Sequence, residues 1–199
     1  MHRYVYNFFV SILAAALLTS CGSADKAPAE AALKGAEEAV NVAKADVSKY
    51  MPDQAKSLDA ALAAAREKFN KGDFKAALAD AQAVTSKAKE AASAAAKKKE
   101  ELAKAWADLS SGMPKVVDAI KSRVDILSQS KKLPAGMSSE TLSQAKAGLN
   151  EITQQWTAAT EASKGGNLMD AVAKASSVKV KAAEVLTLLK MPVPEALKS

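Results

Sequence analysis

From residue 29 onward, apolar residues recur at alternating steps of three and four. That spacing predicts helices with one buried stripe each. Six segments carry it. The first runs through Leu33, Ala36, Val40, Ala43, Val47 and Tyr50. Pro52 stops it, because the residue before a proline is pushed out of the helical region. The second shows Ala55, Leu58, Leu62, Ala65 and Phe69. Lys71-Gly72-Asp73 closes it, with Gly72 suited to a left-handed cap and Asp73 to accepting from the first amides of the next helix. The third is one long helix over about 74–110, with Phe74, Ala77, Ala81, Val84, Ala88, Ala91, Ala95, Leu102, Ala105 and Leu109 on the seam and Lys98 as its polar intruder.

Gly112 and Pro114 are expected to break that helix, with Pro114 in the first turn of a fourth helix that carries Val117, Ile120, Val124 and Leu127. The stretch 128–139, with Lys131, Lys132, Pro134 and Gly136, reads as a loop. The fifth helix shows Leu142, Ala145, Leu149, Ile152, Trp156 and Ala159; the sixth shows Leu168, Ala171, Ala175, Val178, Ala182, Val185 and Leu189. Pro192 and Pro194 leave an extended tail over 192–199.

The expected fold is all-α, built of antiparallel heptad-patterned bundles. The two halves match at a shift of 94 residues: Gly72-Asp73-Phe74 falls on Gly166-Asn167-Leu168, Val84 on Val178, and Leu58 and Leu62 on Ile152 and Trp156. This repeat predicts two three-helix units in tandem, over 29–111 and 112–191. Whether the six helices form one bundle or two stays open. Ala supplies 45 of the 199 residues and aromatics 5%, so the helices are favoured by low side-chain entropy loss while their cores are thin.

The N-terminal pattern differs. Arg3 precedes an apolar run at 8–18, which ends in Leu18-Thr19-Ser20-Cys21. This order is that of a secretory signal peptide, expected over 1–20 and followed by a spacer over 21–28. These 11 apolar and small residues are too few to span a ~30 Å hydrocarbon core. Formal charge is +6, and losing Arg3 with the signal leaves +5.

Candidate chemistry is narrowed by what leaves. His2 is the sole His and lies in the signal; Cys21 is the sole Cys. Zinc sites rich in His and Cys, Ser-His-Asp and Cys-His nucleophile systems, and an intrachain disulfide are excluded on that count. Glu37-Glu38 and Glu100-Glu101 are helix neighbours pointing ~100° apart, so they do not converge on one substrate atom. No catalytic residue, metal or cofactor is expected. Trp156 reads as a packing residue. Trp106 reads as a cover over the junction between the halves near Gly112 or as part of a partner surface. Lys97, Lys98, Lys99, Lys131 and Lys132 read as solvated faces or as the basic part of that candidate partner surface, facing anionic headgroups or wall polymers.

Two resemblances extend this reading. The stretch 71–81, Lys-Gly-Asp-Phe-Lys-Ala-Ala-Leu-Ala-Asp-Ala, resembles the inter-helix turn of a tetratricopeptide repeat, without the tandem period of that family. Leu18-Thr19-Ser20-Cys21 resembles the bacterial lipoprotein cleavage motif. Together with the Ala-rich first helix, the Tyr50-Met51-Pro52 break and the Gly72-Asp73-Phe74 turn, it is similar to an uncharacterised family of bacterial envelope lipoproteins with an Ala-rich helical domain. The resemblance implies cleavage before Cys21, a diacylglyceryl thioether on its sulfur and an acyl group on its new amine. Gly22 in place of Asp implies the outer membrane, facing the periplasm. The expected function is a lipid-anchored envelope scaffold or adaptor without catalytic activity, contacting an envelope protein or wall polymer and no nucleic acid. The alternative is a carrier that holds a lipid or other apolar small molecule between its helices.

Overall fold

The computed structural model describes residues 24–198 and is all-helical there, with no strand among the described residues. The order is α1 (Lys26–Tyr50), α2 (Pro52–Asn70), α3 (Phe74–Gln129), α4 (Ser139–Lys164) and α5 (Leu168–Leu188), then a short 3-10 turn, Glu195–Leu197. The chain divides into two compact units, one ending at Lys98 and the other beginning at Lys99, so the division falls inside α3.

In unit 1 the sequence seam becomes the core. Leu33, Val40, Val47 and Tyr50 of α1 are buried with Leu58, Leu62 and Ala65 of α2 and with Ala77, Ala81, Val84, Ala88, Ala91 and Ala95 of α3. Pro52 starts α2 at a position where the missing N–H costs nothing. α2 ends in a Schellman-type turn. The Asp73 N–H donates to the Lys68 carbonyl at 3.0 Å, and Gly72 takes φ +82°. Asp73 Oδ1 then accepts from the Ala76 amide at 3.2 Å and caps α3. The ion pairs Arg66–Glu37 at 2.8 Å and Lys44–Asp59 at 3.3 Å bind α2 to α1 in antiparallel register. Each side chain is exposed, so these pairs specify register more than they add stability.

α3 corrects one expectation. The break at Gly112 and Pro114 is absent: α3 continues through Pro114, and the expected fourth helix is its second part. A helix-interior proline removes one backbone hydrogen bond and crowds the preceding turn, costing about 3 kcal/mol. Buried Met113 and Ile120 hold the helix on the core to either side of exposed Pro114. The Ser110 and Ser111 hydroxyls donate to the Ala107 and Asp108 carbonyls in the turn before it, at 3.1 and 2.9 Å.

Unit 2 packs the rest of α3 with α4 and α5. Its core is richer in large side chains: Met113, Ile120, Val124, Leu127, Leu142, Ile152, Val178, Val185, Leu186 and Leu189 are all buried. The turn between α4 and α5 repeats that of unit 1 at the same 94-residue shift. The Asn167 N–H donates to the Ala162 carbonyl at 2.8 Å, Gly166 takes φ +73°, and Asn167 Oδ1 accepts from the Asp170 amide at 3.3 Å. Replacing this cap, Asn167→Ala, is expected to lower unfolding free energy by about 1 kcal/mol, measured by urea denaturation followed by circular dichroism.

Two further features of unit 2 depart from the sequence expectation. Over 192–198 the expected extended tail is not simply extended: after Pro192 and Pro194 the chain turns through Glu195–Leu197 and buries Leu197 in the core, with Met191 and Val193 packed against it. On α4 the buried position is Gly148, while Leu149 is half-buried.

Candidate functional site

Cys21, the expected lipidation site, lies outside the described residues. The described residues begin at Ala24, and α1 starts at Lys26.

Of the candidate partner residues, Lys97 and Lys98 belong to unit 1, and Lys99, Trp106, Lys131 and Lys132 to unit 2. Lys97, Lys98 and Lys99 are exposed on consecutive positions of α3, so their side chains fan around the helix at ~100° steps. Lys98 and Lys99 already interact with neighbouring groups. Lys131 and Lys132 are exposed in the loop after α3. Lys99 and the end of α3 at Gln129 are 30 residues apart along one helix, ~45 Å at 1.5 Å per residue. Within unit 2, Lys99 and the Lys131-Lys132 pair are therefore separate.

Trp106 and Trp156 are brought together instead. Their rings stack with centroids 5.8 Å apart and an interplanar angle of 17°, and both are half-buried. Trp156 packs against the core of unit 2, and Trp106 of α3 stacks on it. One face of the Trp106 ring is thus taken by Trp156, which leaves less of it for a partner. The seam pattern places Trp156 correctly; the pairing was not visible because it depends on how α3 and α4 are rotated against each other.

Two lysines have raised pKa values. The hydrogen bond to Asp80 raises Lys68 above the usual 10.5, against some opposing desolvation, and the Lys68–Asp80 distance is 2.7 Å. Lys181 is raised by its hydrogen bond to Glu184 and by the charge of Glu151, at 3.2 and 3.4 Å. A raised lysine favours the folded state below its unfolded pKa, and the contribution fades as pH rises through the folded value. The ion pair of Lys68 is therefore expected to be fully present at neutral pH and lost above 10.5. Asp80→Asn should return the Lys68 ammonium titration toward 10.5, read by NMR of its side-chain nitrogen.

Surface grooves run between the helices. One of about 360 Å³ between α1 and α3 is lined by Gly35, Ala39, Thr85 and Ala92, with Val42, 84% exposed, at its edge. Another, about 310 Å³, lies between α3 and α4 beside Lys121, Lys146 and Asn150. Inside unit 1 the seams are filled: Ala36, Ala65, Ala81, Ala88 and Ala95 have no exposed surface. Among the described residues no group of three His, Cys, Asp or Glu side chains is placed to hold a metal ion, and no helix is long and apolar enough to cross a membrane. Comparison with known proteins finds no family model, no curated protein and no solved structure that matches the chain.

Proposed function

We propose that this chain is a lipid-anchored, non-catalytic scaffold of the bacterial cell envelope, held at the outer membrane and facing the periplasm. The observation that carries the reading is the position of the lone Cys21, at the end of an apolar run and directly after Leu18-Thr19-Ser20. In α1 the apolar stripe is turned inward, with Leu33, Val40 and Val47 buried. The attachment is therefore assigned to acyl chains, and two or more of them give stable anchoring where one does not. The likeness to Ala-rich envelope lipoproteins belongs to the same proposal.

The mechanism is tethering. The lipid fixes position, and the helices present polar faces to an envelope protein or wall polymer. A carrier of apolar molecules would have to part seams in which the alanines of unit 1 are already in full contact, which makes scaffolding the simpler role. Cys21→Ala is expected to abolish incorporation of a labelled fatty acid and to leave the chain unprocessed or soluble. Mass spectrometry of the membrane fraction reads both. Normal processing and membrane retention of that variant would overturn the proposal.

A further inference from the structure

Anchoring at Cys21 raises the question of which surface meets the bilayer. We infer that the end of unit 1 formed by the start of α1 and the turn at 70–74 rests on the lipid headgroups, with α1 directed away from them. The inference rests on the proposed lipidation.

Four residues, 22–25, separate Cys21 from the first residue of α1. Fully extended they reach ~14 Å. The 25 residues of α1 measure ~37 Å, so the Tyr50 end is out of the tether's reach in any upright arrangement. Antiparallel pairing fixes what else lies at the tethered end. Arg66 bonds Glu37, and Phe69 and Asn70 share a groove with Glu30 and Leu33. The turn between α2 and α3 therefore sits beside the first turns of α1, and Met51-Pro52 lies at the opposite end.

A helix lying flat in the interface needs a broad apolar face for the acyl boundary. α1 has none to offer: Leu33, Val40, Val47 and Tyr50 are buried within unit 1, and on its outer side Val42 is the exposed large apolar residue. End-on contact requires no such face. The turn is built to hold its shape there. Phe69 and Phe74 meet edge to face at 5.1 Å across it, and Asp73 caps α3. The sequence around it carries mixed charge, with Lys26, Lys71 and Lys75 beside Asp25, Glu30 and Asp73 in the first turns of α1 and the 70–75 stretch. Tether length rather than net charge thus determines the contact, and added salt should not abolish it.

The test uses the full lipidated chain in vesicles of phosphatidylethanolamine and phosphatidylglycerol. Lys75→Cys and Lys56→Cys, at exposed positions near the two ends, each add the single free thiol, because the Cys21 sulfur is engaged as a thioether. A fluorophore at 75 is expected to be quenched several-fold more by a headgroup-linked quencher than one at 56, at low and high salt alike. Equal quenching, or stronger quenching at 56, in a chain that floats with the vesicles overturns this inference and leaves the anchor standing. A chain that does not float and keeps an unmodified Cys21 removes the anchor and this inference with it. A ~20-residue Gly/Ser insert after Ser23, with a reach of ~25 Å, should erase the difference without loss of flotation. Persistence of the difference would overturn the role given to tether length.

Discussion

Leu197→Ala is expected to destabilise the protein by about 2–3 kcal/mol. Leu197 is 7% exposed and belongs to the core of unit 2, although it stands beyond both terminal prolines and outside every heptad. Truncation removes the transfer free energy of its methyl groups and leaves a gap that the short 3-10 turn can close only in part. The figure is at the lower end of the leucine range because a segment near the chain end can shift. Urea denaturation of the variant beside Glu195→Ala measures it. Glu195 is exposed, with an ion pair to Lys198, so its removal should change stability by no more than about 0.5 kcal/mol. Equal effects of the two substitutions would show that the tail is not part of the core.

Gly148→Ala should also destabilise, by about 1–2 kcal/mol, although alanine is the better helix former by about 1 kcal/mol. A β-carbon at this position would stand 2.5 Å from Val185 Cγ2. Val185 is 1% exposed and β-branched, so it has neither space nor an easy alternative rotamer. Overpacking of this kind costs about 1–3 kcal/mol, and the propensity gain offsets part of it. Val185→Ala opens the contact, so adding Gly148→Ala on that background should be neutral or stabilising. A double-mutant cycle in urea reads the coupling. A stabilising single Gly148→Ala would mean that α4 and α5 are free to move apart.

Much of the helical architecture was legible because its signals are local. The steps of three and four from Leu33 to Tyr50 correspond to buried positions one for one. Gly72-Asp73 and Gly166-Asn167 end and begin helices through bonds within a few residues of themselves. Pro52 acts in the same way, at the head of α2. Pro114 shows the limit. Its local preference is the same, yet it stands inside α3, because buried Met113 and Ile120 outweigh a penalty of about 3 kcal/mol. No pattern within reach of Pro114 carries that information.

The candidate surface was legible only as a set of residue types. Periodicity placed Trp156 on a seam, but the stacking of Trp106 on it depends on the rotation of two helices about their axes. Within unit 2, Lys99 and the Lys131-Lys132 loop are far apart, because the continuous helix from Lys99 to Gln129 spends ~1.5 Å on every residue.

The residue order alone carried the all-α class, most helix ends, the buried stripes and the apolar run ending at Cys21. Each is written in groups no more than a few residues apart. Tertiary packing decided the continuity of α3, the burial of Leu197 and the need for glycine at 148, because each balances a local preference against contacts from distant parts of the chain.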